Sequence, residues 1–455
     1  MLSRVLRYCY EVSRNQWLSA GELEALQETR LRAILKHAYQ NVPLYRSKFD
    51  KAGISPDDIH ALEDLARIPF VTKTEIRAGF PDQSTARGYD MNRCVKMPTS
   101  GTSGGPMPVV LDKRYWDFVV ANRYYRRTMA LGFSPWDKIM EIEYRGPVHD
   151  ATPANAGERG EPEKRSRGRA ALGPSASLFR RWVRKSYIAY GANEIIEDMV
   201  KYRPRIVYAT PSYLRLLAEA LTDQGVENVR PDALVATGEV FDEPTREFLE
   251  DTLGCEAFTS YGINEVQSIS WECKRKEGQH ITADSVVLEV VRDGETVGPG
   301  EEGELVLTGL ISRAMPLIRY RTGDIGVLDE SKCSCGRTLP LLKSVEGRIV
   351  DCFTLPNGRT VTPKTVQTAI QGTAGVSRYQ AVQEDEMKVK IELMRKESDA
   401  EVSISELVAR CHDVLGDDVE IEVSVGDRSN LRAKFRPVIS KLTVAGEARW
   451  TIPRG

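Results

Sequence analysis

The sequence predicts an α/β protein: a large N-terminal domain of mixed sheets and helices, followed by a small mobile C-terminal α+β domain. Three observations predict it. Strand and helix patterns alternate between residues 195 and 240. A β-rich stretch punctuated by Gly, Pro and Asp turns follows at 286–328. Near Gly347 the character of the chain changes again, and the rest reads as a compact strand and helix set ending in a polar tail. A length of 455 residues, at about 100–200 residues per domain, fits two or three domains.

Taken in order, the first eighty or so residues read as helical, because LEALQETRLRAILKHAYQNV brings Leu23, Leu26, Leu31, Ile34 and Leu35 close to one face of a 3.6-residue period. Prolines in VPLYRSKF and DLARIPFVTK then break the pattern. Residues 91–111 predict a strand, a loop of small residues and a second strand in CVKMPTSGTSGGPMPVVL. Residues 150–176, rich in Gly, Pro, Ala and charge, have no hydrophobic period and are expected to be a flexible surface insertion, with a substrate lid as the alternative. Beyond them IIEDMVKYRP and PSYLRLLAEAL are helical, and RIVYAT and DALVATGE are strands, an order that suggests parallel pairing. VVLEVVRDGETV, ELVLTGL and LIRYRTGDIGVL supply the β-rich stretch. There is no internal repeat.

Composition narrows the function. With 41% hydrophobic, 28% charged and 7% aromatic residues, the chain is that of an ordinary globular protein. Sixty-three basic against 65 acidic residues give a net charge of −2, without the basic excess of a nucleic-acid binder. No apolar run reaches the roughly 20 residues of a membrane helix, and MLSRVLRYCYEVSRNQW lacks the apolar core and cleavage site of a secretory signal. A cytoplasmic enzyme with neither nucleic-acid nor membrane partners is expected. The oligomeric state is not legible.

Of eight cysteines, Cys9, Cys94, Cys255, Cys352 and Cys411 are scattered, as incidental thiols are in a reducing compartment. Cys273 is followed by His280, and Cys333 and Cys335 form a close pair in SKCSCGR. Three thiols and an imidazole make a tetrahedral zinc set, and four protein ligands leave no open position, so the role is structural. The alternative is a group of unligated thiols near a surface loop.

The segment Thr99-Ser100-Gly101-Thr102-Ser103-Gly104-Gly105-Pro106 offers four hydroxyls and three glycines in eight residues. Hydroxyls and free N–H groups wrap phosphate oxygens, and glycine lets the backbone come close. It lacks the GK[ST] ending of a Walker loop, and alone it is equally a structural turn. Four further segments follow it: Ser260-Tyr261-Gly262-Ile263-Asn264-Glu265, then Arg319-Tyr320-Arg321-Thr322-Gly323-Asp324, then Gly347-Arg348, and finally Ala433-Lys434-Phe435-Arg436. Singly, each has a plain reading as a turn, a strand end or a solvated charge. In this order and spacing they resemble the signature motifs of the adenylate-forming superfamily of acyl-CoA synthetases, adenylation domains and luciferases. NVPLYRSKFDKAGISPDDIHALEDLARIPFVTK, ECKRKEGQHI and CSCGRTLPLLKSVEGR are similar to its phenylacetate-CoA ligase and CapK-like branch.

The resemblance implies an ATP-dependent ligase that makes an acyl-AMP and pyrophosphate from a small, aryl carboxylic acid, then passes the acyl group to coenzyme A. The alternative is an adenylating ligase that passes the acyl group to an amine, a carrier-protein thiol or another small nucleophile, and a third reading is a nucleotide-binding homologue with impaired catalysis. A carboxylate, with a pKa of about 4, is already ionised at neutral pH and needs no general base. The site must instead reduce charge repulsion and hold the attack in line.

By resemblance, Thr99, Ser100, Gly101, Thr102, Ser103 and Gly104 would hold the β- and γ-phosphates, and Glu265 would ligate Mg²⁺. Tyr261 and Gly262, with Ser260 beside them and Gly238 and Glu239 of ATGE, would frame the adenine. Asp324 would hold the ribose hydroxyls, Arg348 the ribose or phosphate, and Lys434 would bridge carboxylate and phosphate. Residues 1–347 form the nucleotide- and acid-binding domain, and residues 348–455 the lid that carries Lys434. Some relatives in the branch hold a structural metal with a similar Cys and His set.

The sequence departs from the family pattern at Gly105, where lysine is common, at Asn264, where threonine is usual, and at Ile349-Val350-Asp351, where two acidic residues mark the hinge. RAK replaces SGK around Lys434. The acyl pocket is expected near Tyr208 to Tyr213, with Glu143, Tyr144 and Arg145 also approaching it.

Overall fold

The computed structural model describes residues 2–99, 107–143, 183–187, 191–226, 229–371, 373, 375–395, 402–426 and 436–442. The insertion expected at 150–176 lies outside them. Two compact units emerge: one gathers Met1–Ser134 and Ser260–Pro363, the other Pro135–Thr259 and Lys364–Lys441.

The first unit begins with the helices Leu2–Asn15 and Ala20–Asn41. Ser19 starts the second of these with a capping box, its hydroxyl accepting from the Glu22 N–H while the Glu22 carboxylate accepts from the Ser19 N–H at 2.8 Å. Leu23, Leu31, Ile34 and Leu35 are buried as the period predicts. Leu26 is only half-buried. Gln27 is buried in the neighbouring position because its amide donates to the Val286 carbonyl at 3.3 Å, which satisfies a polar group away from water.

These helices accompany an antiparallel succession of strands. Val286–Arg292 pairs with Glu302–Gly309, which pairs with Tyr320–Asp329, and that strand pairs with Leu341–Arg348. Gln279–Ile281 and Ser270–Glu272 continue the ladder. Just before Val286–Arg292, Asp284 accepts from Arg126 through both oxygens at 3.0 and 3.1 Å, with both side chains fully buried. Asn15 donates to the same carboxylate at 3.2 Å, and Asn122 accepts from Arg126 at 2.7 Å. A buried ion pair is tolerable only when its remaining hydrogen-bonding groups are satisfied in this way.

In the second unit the alternation predicted near residue 200 is present. Ile139–Glu143, Val183–Tyr187, Ile206–Ala209 and Ala233–Thr237 are parallel neighbours. The helices Gly191–Tyr202, Pro211–Asp223 and Glu243–Leu253 connect or follow them. Met140, Val207, Leu214, Leu217, Leu234 and Leu249 meet in one apolar cluster, and burial on both faces explains why Ile206–Ala209 and Ala233–Thr237 read as continuous apolar runs. Pro211 opens its helix at a position where the missing N–H has no helical partner to lose. The same unit holds a sheet in the order Glu420–Gly426, Lys388–Arg395, Val376–Asp385 and Val438–Ser440, with the helix Ile404–Leu415. No described helix is long and apolar enough to cross a membrane.

Candidate active site

The strand, loop and strand predicted at 91–111 fold as Val95–Pro98 antiparallel to Pro108–Leu111, with Pro98 opposite Pro108. Thr99 closes the base of the loop: its N–H donates to the Met107 carbonyl at 2.9 Å and its hydroxyl accepts from the Met107 N–H at 2.8 Å. Ser100, Gly101, Thr102, Ser103, Gly104 and Gly105 lie outside the described residues, as do Tyr144, Arg145 and Lys434.

The second motif sits against that base. Ser260 and Tyr261 pair with Trp271 and Ser270, and the chain then turns tightly, with the Gln267 N–H donating to the Ile263 carbonyl at 2.6 Å. A Cβ at Gly262 would stand 2.3 Å from the Gln267 carbonyl oxygen, so only glycine fits there. Asn264, the departure from threonine, donates to the Pro98 carbonyl at 2.9 Å and thereby fastens the turn to the foot of the Thr99 loop.

Glu265 is buried, and the Tyr320 hydroxyl donates to its Oε1 at 2.9 Å. Burial raises its pKa against the opposing hydrogen bond from Tyr320 and the charge of Lys73. A carboxylate held this way, desolvated and aimed, is primed to bind a cation.

Asp324 is the second anchor. It accepts from the Tyr261 hydroxyl at 2.7 Å and lies 3.5 Å from the Arg348 guanidinium, its cross-strand neighbour. Thr322 fixes the intervening turn by donating to the Leu305 carbonyl at 2.7 Å and accepting from the Asp324 N–H at 3.1 Å. Gly347 is demanded twice over: its φ is 119°, and a Cβ would meet the Pro363 ring at 2.6 Å. The structure thus brings Thr99, Tyr261, Gly262, Glu265, Asp324 and Arg348 into one unit around a common hydrogen-bonded frame. Tyr261→Phe removes one donor to Asp324, and on the role the resemblance implies for Asp324 the expected result is a rise of about fivefold in KM for ATP, as steady-state kinetics will show.

Not every motif residue serves the same frame. Arg319 is buried with Glu289 at 3.0 Å and donates to the carbonyls of Ala66 and Ile68 at 2.9 Å, which makes it a structural tie. Gly238 and Glu239 belong to the other unit: Gly238 takes φ 84°, and Glu239 accepts from the Ser212 N–H at 3.2 Å and the Ser212 hydroxyl at 3.0 Å. Tyr213 is buried in the apolar cluster of that unit. Sequence reasoning missed Tyr320 as the holder of Glu265. The signal was its place four residues before Asp324, an even spacing that suits one face of a strand.

A second cluster lies elsewhere in the first unit. The donor atoms of Cys273, His280, Cys333 and Cys335 all fall within 4.8 Å of one another. Cys273 follows the strand Ser270–Glu272, His280 is central in Gln279–Ile281 opposite Trp271, and the other two precede Leu341–Arg348. The Cys273 and Cys333 sulfurs are 3.6 Å apart, and Cys335 Sγ is 3.4 Å from His280 Nε2. Edges of about 3.8 and 3.6 Å are what a tetrahedron with zinc–ligand bonds of about 2.3 and 2.0 Å requires. The Arg275 and Arg337 N–H groups each donate to a cysteine sulfur at 3.4 Å.

All four groups suit a cation better than they suit one another. Burial pushes the Cys333 thiol up to about 12 and raises Cys273. Cys335 goes the other way, because the N–H and guanidinium of Arg337 outweigh its burial. Burial takes His280 down to about 4, leaving the neutral imidazole that a metal needs.

No family model matches the chain. It is 31% identical over 411 residues to phenylacetate-coenzyme A ligase of Thermus thermophilus, a match covering 87% of this chain and 87% of that protein. The chain belongs to the phenylacetate-CoA ligase family. A second member, phenylacetate-coenzyme A ligase of Escherichia coli, is 31% identical over 412 residues, again across 87% of both chains. In fold, this family member is similar to 2-hydroxyisobutyryl-CoA ligase solved in its postadenylation state, with a TM-score of 0.77 and 22% identity over 95% of this chain and 92% of that one. The superfamily and the α/β fold read from the motifs therefore stand.

Proposed function

We propose that this phenylacetate-CoA ligase family member activates a small, aryl carboxylic acid with ATP as acyl-AMP, releases pyrophosphate, and passes the acyl group to coenzyme A. The observation that carries the reading is the joint frame of Tyr261, Asp324 and Arg348 with Glu265 and Tyr320, next to the foot of the Thr99 loop. Asp324, acceptor-only when ionised, takes the two ribose hydroxyls. Tyr261 and Gly262 give the adenine a flat wall, and the family resemblance assigns Gly238 and Glu239 of the ATGE segment to the same base. Glu265 holds Mg²⁺, which when bound offsets the phosphate charge that repels an incoming carboxylate. Arg348 steadies ribose or phosphate. Thr99 and the loop to Gly104 take the leaving phosphates, and residues 348–455 act as a lid whose Lys434 reaches carboxylate and phosphate together. Cys273, His280, Cys333 and Cys335 hold a structural zinc. The protein works in the cytoplasm.

The deciding experiment is ATP–pyrophosphate exchange across a panel of aryl and short aliphatic acids, followed by AMP release with and without coenzyme A. Exchange above background for at least one aryl acid, with AMP release then stimulated by coenzyme A, is expected. Exchange without any stimulation would move the acceptor to an amine, a carrier-protein thiol or another small nucleophile, in keeping with the hinge sequence Ile349-Val350-Asp351. No exchange with any acid would sink adenylation itself.

A further inference from the structure

We propose that Lys73 is the phosphate-binding cation of this site, contacting the β- and γ-phosphates of ATP and the pyrophosphate that leaves. The inference deepens the adenylation reading and rests on it. Its starting point is a charge deficit. The loop from Thr99 to Pro106 contains neither lysine nor arginine, while a triphosphate carries several negative charges, of which one Mg²⁺ offsets only part. N–H groups and hydroxyls stabilise phosphate oxygens but do not neutralise them.

Lys73 is far from Glu265 in sequence and close enough in space for the two charges to act on each other. Val71 forms a parallel bridge with Tyr320: its N–H donates to the Arg319 carbonyl, and its carbonyl accepts from the Arg321 N–H, both at 2.9 Å. Tyr320 in turn holds Glu265. Thr72 then caps the turn Lys73–Ala78 with a capping box to Glu75, whose carboxylate is taken by Lys48 at 2.6 Å. The backbone of Lys73 is therefore pinned two residues beyond Val71, the bridge partner of the tyrosine that aims Glu265.

The side chain is half-buried and makes no hydrogen bond or ion pair among the described residues. The charges that act on its ammonium are Glu265, Arg348 and Arg77. Burial lowers its pKa and the two arginines lower it further, with Glu265 opposing them. Arg77, one turn along and also half-buried, likewise has no ion-pair partner among the described residues. Cations gathered and partly desolvated in this way are unfavourable by themselves, and a polyanion relieves the cost. Glu265 needs only one counter-charge, and the Mg²⁺ assigned to it would free Lys73 for the phosphates.

The test compares wild type with Lys73→Ala, Lys73→Gln and Lys73→Arg by calorimetric binding of MgATP, magnesium pyrophosphate and AMP, together with ATP–pyrophosphate exchange. AMP lacks the β- and γ-phosphates and is the internal control. Loss of about 10- to 100-fold in affinity for MgATP and pyrophosphate is expected in the alanine and glutamine variants, the range of one charge-assisted contact. AMP affinity should stay within about twofold and the arginine variant should recover most of the loss. Lys73→Gln keeps most of the stem, so the result does not depend on the alanine variant folding. Equal losses for AMP and MgATP, or no loss for either, would overturn the assignment. Exchange that is active in wild type and untouched in all three variants overturns Lys73 while sparing adenylation. MgATP binding that depends on Lys73 in a protein without exchange for any acid does the reverse.

Discussion

Glu265→Gln is expected to slow acyl-AMP formation by about 10²- to 10³-fold, the usual loss when one preorganised electrostatic group is removed. The substitution changes charge and little else. Glutamine keeps a carbonyl oxygen that can accept from the Tyr320 hydroxyl, as Glu265 does now at 2.9 Å. Stability should hold or rise. Burial raises the Glu265 pKa, which means the folded state disfavours the ionised side chain relative to the unfolded chain, and a neutral amide removes that cost at pH 7. A melt no lower than wild type, combined with a collapsed exchange rate that excess Mg²⁺ does not restore, would establish Glu265 as a residue of the reaction. A rate within about threefold of wild type would remove it from that role.

Cys333→Ser should act in the opposite sense, on stability and not on chemistry. Cys333 lies 3.6 Å from Cys273 in a cluster that ties the turn before Leu341–Arg348 to the strands Ser270–Glu272 and Gln279–Ile281. Losing one ligand from a four-ligand set is expected to cost about 3 kcal/mol or more. In a unit of this size that lowers the melting temperature by roughly 6–12 °C. Zinc measured by elemental analysis should fall from about one ion per chain toward zero, while exchange per folded molecule at low temperature changes little, because four protein ligands leave no position for substrate. Only a trace of zinc in freshly purified wild-type protein would dispose of the metal, and the thiols would then be simple packing residues.

The two predictions differ in how legible their residues are in the sequence. Glu265 and Asp324 stand in motifs whose order along the chain points to them without any coordinates. The zinc set is half legible: His280 stands seven positions after Cys273, but the gap to Cys333 permits many arrangements, and only the pairing of His280 with Trp271 and Leu341 brings the four donors together. Tyr320 was visible as a motif residue and not as the partner of Glu265, since that hydrogen bond depends on the register of its strand against the turn after Tyr261. Gln27 shows the same limit on a smaller scale. A periodicity count selects Leu26, whereas the carbonyl of Val286 gives Gln27 its buried place.

By itself, then, the sequence determined the α/β class, the alternating strands and helices, the glycine-rich segment and the ordered motifs that mark an adenylate-forming protein, because these depend on local periodicity, turn chemistry and short spacings. Tertiary structure decided which groups meet. It set the Tyr320–Glu265 and Tyr261–Asp324 hydrogen bonds, the steric demand for glycine at 262 and 347, and the nearness of Lys73 to Glu265 through the bridge from Val71 to Tyr320. The physical reason is common to all of them. Hydrogen bonds and charges act over a few ångströms of space, and strand register, not separation along the chain, determines which side chains lie within that reach.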